Sequence, residues 1–214
     1  KIAVTAAAGG VLAYSDVTAG IGVWTASARP DDGFVAADIR NATRDIMQKF
    51  YPAVSRNGEQ LAFIAFGGLK GAKLEVRRTD FAGRGETILP TQARGISFVH
   101  YPRFSHDGSL LAYRDYLDDK LHTFIVPAGA SAGSDAGAIG QVWDFFPDPD
   151  FVLVQTPAGE LAKRSLKSGE NTIVLSLKEG FLNDGSLAPD GRWAAFRSGL
   201  PDGRVSISIG PVGS

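Results

Sequence analysis

The stretch YPAVSRNGEQLAFIAF, residues 51–66, returns fifty positions later as YPRFSHDGSLLAYRDY, residues 101–116. Each copy sets a dipeptide that tolerates positive φ, Asn57-Gly58 or Asp107-Gly108, between two apolar segments, which is the signal of a tight hairpin. With the turn glycine as anchor, Leu61-Ala62-Phe63 follows Gly58, and Leu111-Ala112-Tyr113 holds the same places after Gly108. LAPDGRWAAFRSG repeats the scheme with Gly191 and Ala194-Ala195-Phe196, and TAAAGGVLAYS with Gly9 and Leu12-Ala13-Tyr14. In FFPDPDFVLVQ, Pro149 takes the glycine's place and Val152-Leu153-Val154 follow. The anchors 9, 58, 108, 149 and 191 are spaced by 49, 50, 41 and 42 residues. A period in that range marks a repeat architecture of four-stranded propeller blades.

The segments within one period support the same reading. LAFIAF is apolar on both alternating faces, so as a strand it must be covered on both sides, as it is between neighbouring blades. KLEVRR (73–78), HTFIV (122–126) and VSISI (205–209) alternate with period two and read as half-buried third strands. GETILP (85–90) and NTIVLSL (171–177) read as fourth strands, and ADIRNATRDIMQKF (37–50) as an outer strand, a loop and the next inner strand. The expectation is an all-β chain: a β-propeller of about five four-stranded antiparallel blades, approximately 1–46, 47–96, 97–138, 139–179 and 180–214. The last blade lacks its outer strand, so the chain is expected to be excised from a longer polypeptide whose missing part carries an outer strand, another blade of a larger propeller, or both. Proline cannot adopt positive φ, so the turn at Pro149 must be built differently from the others.

Composition bounds the function. With 22 basic and 23 acidic residues spread along the chain, the net charge is −1, which argues against nucleic acid or an anionic membrane as an electrostatically driven partner. The absence of cysteine excludes disulfides, thiolate metal sites and a cysteine nucleophile. No apolar run approaches the roughly twenty residues of a membrane helix, so no direct membrane insertion is expected.

The phrases PAVSRNGEQLAF, PRFSHDGSLLAY and, in part, SLAPDGRWAAF follow the pattern P-x-x-S-x-[DN]-G-x-x-[LI]-A-[FY]. In this the chain resembles the TolB-like propeller repeat, a relative of the WD repeat. VLAYSDVTAGIGVW at the first blade and QVWDFFPDPD at the fourth are most similar to the C-terminal propellers of bacterial serine/threonine protein kinases and winged-helix regulators. The resemblance covers essentially the whole chain and implies the fold more closely than the function. It implies a non-catalytic sensing or protein-binding module of a larger bacterial signalling protein, with a covalently attached effector domain and an extracytoplasmic location, a cytoplasmic one being the alternative. Other implied readings are the substrate-gating propeller of a prolyl-oligopeptidase-type hydrolase and a stand-alone periplasmic interaction protein of the TolB kind.

Catalytic chemistry finds little support. GASAG, residues 129–133, matches G-x-S-x-G, but a nucleophile elbow needs a strand before Ser131 and a helix after it, and VPAGASAGSDAGAIG carries no helix signal. That segment is expected to be a flexible loop between blades. His100, His106 and His122 stand at no metal-ligand spacing, and no phosphate-cradling glycine loop precedes a helix, so no metal and no cofactor is expected. The candidate site is the channel rim. Eight residues before the anchors stand Phe50, His100, Gln141 and Asn183, and five before them Ala53, Arg103, Asp144 and Ser186. Phe50, His100, Arg103, Gln141, Asp144 and Asn183 are the residues expected to receive a protein, peptide or small-molecule ligand.

Overall fold

The repeated turn closes on its own side chains. In a computed structural model of the chain, Ser55 Oγ accepts the N–H of Gln60 at 2.9 Å and donates to Asn57 Oδ1 at 2.7 Å, while Gly58 N–H donates to Ser55 O at 2.8 Å. The second copy repeats this: Ser105 Oγ accepts Leu110 N–H at 2.9 Å and donates to Asp107 Oδ1 at 2.6 Å. Positive φ falls on Gly58 (73°) and Gly108 (71°) and not on the Asx before them, whose carbonyl or carboxylate oxygen instead accepts the N–H two residues on. At Pro149 the turn is rebuilt as its chemistry requires. No residue from 147 to 151 has positive φ, and Asp148 Oδ1 accepts Asp150 N–H at 3.0 Å.

The structure describes residues 4–7, 11–16, 22–29, 35–43, 47–67, 73–80, 84–89, 91, 101–127, 129–177 and 180–212. Among these there is no helix, and the strands form five antiparallel sheets, each a simple meander. The first holds β1 (Val4–Ala7), β2 (Val11–Asp16), β3 (Gly22–Arg29) and β4 (Val35–Asn41). The second holds β5 (Gln48–Val54), β6 (Gln60–Gly67), β7 (Lys73–Asp80) and β8 (Thr87–Leu89). The third holds β9 (Arg103–Phe104), β10 (Leu110–Leu117), β11 (Lys120–Pro127) and β12 (Ser134–Asp135). The fourth holds β13 (Gln141–Phe145), β14 (Phe151–Gln155), β15 (Leu161–Ser165) and β16 (Asn171–Leu175). The fifth has three strands, β17 (Phe181–Leu187), β18 (Trp193–Gly199) and β19 (Val205–Pro211). The first strands β1, β5, β9, β13 and β17 touch in series, which makes them the inner wall of a β-propeller arrangement consistent with a partial propeller.

The core lies between sheets and is organised by one rule. In the second to fourth sheets the residue four after the turn anchor points toward the following sheet, and those three and five after it point toward the preceding one. Thus Ala62 of the second sheet packs with Leu111 and Tyr113 of the third, and Ala112 of the third with Val152 and Val154 of the fourth. Leu153 of the fourth packs with Ala194 of the fifth, and Val23 of the first with Leu61 and Phe63 of the second. Ala62, Ala112, Leu111, Leu153 and Leu61 are all buried, and burying one such leucine contributes roughly 2 kcal/mol. Both faces of the second strand are therefore covered in the second to fourth sheets, as their unbroken apolar runs require.

Two segments differ from expectation. VSISI was expected to be half-buried, yet Val205, Ile207 and Ile209 of β19 are all exposed. GASAG is not a loop between blades. It connects β11 to β12 inside the third sheet, and Arg78 of β7 holds it by donating to Pro127 O at 3.1 Å and Ala130 O at 2.8 Å. No helix follows Ser131; β12 does.

A close approach of the fourth and fifth sheets supplies a test. A Cβ on Gly185 of β17 would stand 2.4 Å from Cε3 of the fully buried Trp143, so the indole can lie there only if residue 185 has no side chain. Gly185→Ala is expected to cost about 1–3 kcal/mol, lowering the calorimetric Tm by about 5 °C. Gly210→Ala, whose Cβ would first meet Phe196 at 3.8 Å, serves as the control and is expected to leave Tm within about 1 °C. Equal midpoints for the two variants would remove Trp143–Gly185 as a packing constraint.

Candidate ligand-binding face of the inner strands

The inner strands place their side chains through a shared register. At the anchors from Gly58 to Gly191 the residue five before pairs with the residue four after: Ala53 with Ala62, Arg103 with Ala112, Asp144 with Leu153 and Ser186 with Ala195. Paired residues share a sheet face, so Ala53, Arg103 and Asp144 also point toward the following sheet. Asp144 accordingly spends itself on the fifth sheet, where its Oδ2 accepts Ser186 Oγ–H at 3.0 Å and Leu187 N–H at 2.8 Å. Arg103 reaches further. Its Nε donates to Trp143 O at 3.0 Å, and its Nη2 lies 3.4 Å from Asp184 Oδ1, so one guanidinium spans the third, fourth and fifth sheets.

The expected rim residues thus divide. Arg103 pairs with Asp184, and Asp144 with Ser186, both reaching the fifth sheet. Gln141 stands apart, half-buried in a cavity of about 180 Å³ between the third and fourth sheets, lined also by Arg114, Leu121, Gln155, Thr156 and Pro157. Asn183 is exposed at a bulge in β17. Phe50 lies in the middle of β5 beside Tyr51, with ring centroids 6.4 Å apart. His100 lies outside the described residues.

Two residues that the sequence reading passed over complete this face. Tyr51 and Tyr101, seven before their anchors, meet with ring centroids 4.4 Å apart and planes tilted by 56°. Both are half-buried, and burial together with the side-chain hydrogen bond to Tyr101 pushes the Tyr51 hydroxyl pKa well above its ordinary value. Tyr51 has φ of +51° at the bulge between Phe50 and Ala53. A non-glycine residue there costs of the order of 1 kcal/mol, and the bulge re-aims the side chain out of the strand's alternation. The signal was on the page, since the Tyr-Pro dipeptide opens both copies of the repeat.

Phe50, Tyr51 and Tyr101 form an aromatic cluster at the second and third inner strands, and two residues after Tyr101 begins the ion pair of Arg103 with Asp184 of β17. Such groups can stack on planar or aliphatic groups and pair with either sign of charge. Among the described residues no group of three or more His, Asp or Glu side chains is placed to hold a metal ion. His122 is tied to Asp135 across β11 and β12 at 2.8 Å.

His106, in the turn of the third sheet, carries a pH dependence. Burial lowers its pKa, Asp144 and Asp107 oppose that shift, and Arg56 reinforces it. Arg56 Nη1 stands 3.4 Å from Nδ1, an approach that suits the neutral ring accepting at Nδ1. The folded pKa lies below the unfolded value of about 6.5, so the contribution is complete above that pH and is lost as pH falls toward the folded pKa. Between pH 7.5 and 5.5 the wild-type Tm is expected to fall more steeply than that of His106→Gln. Superimposable calorimetric profiles would show that His106 carries no linkage.

No family model matches the sequence, and no curated protein is detectably similar to it. Similarity appears in the fold. TolB from Acinetobacter baumannii superposes with a TM-score of 0.67 at 16% identity, over 96% of this chain and 52% of that one. A putative TolB from Agrobacterium tumefaciens gives 0.59 at 18% identity, over 83% of this chain and 66% of that one. A chain of a nidogen/laminin complex gives 0.60 at 10% identity, over 95% of this chain and 81% of that one. The chain therefore spans about half the length of the first of these and just under two thirds of the second, and what it shares with them is the β-propeller fold.

Proposed function

We propose that this chain is a non-catalytic protein- or peptide-binding propeller module, and that it takes its ligand at the inner-strand face of Phe50, Tyr51, Tyr101, Arg103 and Asp184. The observation that carries the reading is the Tyr51–Tyr101 pair, held half-buried on adjacent inner strands by a backbone conformation that is costly for tyrosine. A stacking core needs no such geometry at that place, whereas rigid aromatic side chains beside an arginine are the composition of binding hot spots. The TolB-type neighbours and the propeller of a nidogen/laminin complex support a protein-binding role for the fold. The role in a bacterial signalling protein, with a tethered effector domain and a position outside the inner membrane, extends the proposal along the resemblance in the repeat. A catalytic role has weaker support, because Ser131 lies between two strands of one sheet and not on a strand-to-helix elbow.

The experiment is a selection of displayed random peptides on the wild-type protein, followed by titration of the selected peptides against Tyr101→Ala and Arg103→Ala. Each variant is expected to lose about tenfold or more in affinity, roughly 1.4 kcal/mol. Ile173→Ala, on the outer strand β16, should bind as wild type does. Calorimetric midpoints for all variants separate lost binding from lost folding. Selected peptides whose affinity is the same for wild type and both inner-strand variants would overturn the proposed site.

A further inference from the structure

The fifth sheet exposes an apolar face that the packing rule of the other sheets makes legible. Phe181, Trp193, Val205, Ile207 and Ile209 are exposed by 54, 48, 56, 80 and 73%. The strand register puts them on one face: Trp193 pairs with Pro211, Ala195 with Ile209, Arg197 with Ile207 and Gly199 with Val205. Phe181 pairs with Gly199, and its ring lies where a Cβ of Gly199 would be. Ala195 is the residue four after the anchor, so this is the face that in the preceding sheets points toward the following one.

Equivalents of Ala195, Ile209 and Ile207 in earlier sheets are engaged with a following sheet, while Lys163, which pairs with Leu153 in the fourth, lies over the Phe146 and Phe151 rings. Ala62, Ala112 and Leu153, which correspond to Ala195, are fully buried. Arg78 and Ile125 correspond to Ile209, since they pair with Ala62 and Ala112. Arg78 is buried and donates to carbonyls of the third sheet, and Ile125 packs on the cluster of the fourth. Thr123, which corresponds to Ile207, is buried and donates from Oγ1 to Gly140 O at 2.8 Å, just before the fourth sheet. Arg197 has its precedent in Arg114, which lies half-buried beside Gln141 and Gln155 between the third and fourth sheets. A charge at that place is thus compatible with stacking. The fifth sheet's other face is already buried against the fourth through Leu187, Ala194 and Val212.

We propose that the face of Phe181, Trp193, Val205, Ile207 and Ile209 is a stacking surface for a further four-stranded sheet of the same polypeptide, laid on it in the sense in which each sheet follows the last. The incoming sheet presents bulky apolar residues three and five after its own turn, as Leu111-Tyr113 and Val152-Val154 do. It also offers a carbonyl or carboxylate within reach of Arg197. Continuity with the four interfaces already present favours this occupant, and the same sense of stacking excludes a two-fold dimer, which would set this face against its own copy. This inference stands apart from the proposed ligand face.

Because these residues include no cysteine, single-thiol labelling reads the face directly. The polypeptide expressed from its own gene is prepared with Ile207→Cys, with Ile209→Cys, and with Ile88→Cys on the outer strand β8 as an exposed reference. Native labelling by a chromogenic disulfide is followed over a hundredfold range of protein concentration, with the wild type subtracted and the mass read by light scattering. The expected result is monomeric protein in which residues 207 and 209 react at least about a hundredfold more slowly than residue 88, at a rate independent of concentration. Reaction as fast as at residue 88 shows the face uncovered and overturns the proposal. Protection in a dimer, or protection lost on dilution, assigns the face to a second copy and overturns it as well.

Discussion

Everything in this fold depends on the contact of one sheet's face with a face of complementary size on the next, small residues against bulky ones. No sheet of three or four strands can cover its own apolar surface, and among the described residues consecutive sheets share no ladder hydrogen bonds through which to align. Alignment comes from side chains instead. Ala62 and Ala112 let the second strands approach, and Leu111, Tyr113, Val152 and Val154 fill the space thus left. Where the facing residue is larger, the partner shrinks further, as when Gly185 lies under the Trp143 ring. Each interface then acts as a nearest-neighbour term of the kind that governs repeat proteins, so the loss of one partner strips the core from its neighbour.

Polar side chains lock the stack at places where the apolar faces run out. Gln60 Nε2 donates to Gly108 O in the next turn at 3.2 Å, and Gln155 Nε2 donates to Leu182 O in the next inner strand at 2.7 Å. Arg78 and Thr123 do the same farther from the inner strands. These bonds add modest stability individually, of the order of 1 kcal/mol each, but their geometry fixes how far one sheet slides over the next. Hydrophobic contact alone carries no such direction.

Much of this was legible in the sequence, for reasons that can be stated. The Asx-Gly turns announce themselves because few dipeptides tolerate that backbone, and the positions of β6, β10 and β18 follow from them by counting. Pro149 was equally readable, since its ring forbids the conformation its counterparts adopt. Other features left no trace in a single strand's pattern. Val205-Ser206-Ile207-Ser208-Ile209 alternates in the same way whether its apolar face is covered or bare, so the exposure of β19 could not be read from it. The two-residue strand β12 sits in a run of small residues that reads as loop. Among the site residues, Arg103 and Asp144 were found by position but not by role. Their partners Asp184 and Ser186 lie 81 and 42 residues away, a distance that no local pattern spans.

That division bears on where such a chain can keep a binding surface at all. A residue five before the anchor points at the next sheet, so part or all of its bonding capacity is engaged there, as with Asp144 and with the Nε of Arg103. The inner strands escape this by bulging. β5 is irregular between Phe50 and Ala53, β13 between Val142 and Asp144, and β17 between Leu182 and Asp184. Each irregularity releases a residue from the alternation that the stacked faces impose. In β13 the released residue is Trp143, which is buried in the core of the fourth and fifth sheets. In β5 it is Tyr51, which stays half-buried against Tyr101, and in β17 it is Asn183, which is exposed. The same local device thus supplies core in one sheet and an outward-facing side chain in two others, and it is at those two that the inner wall is free to vary without disturbing the stack.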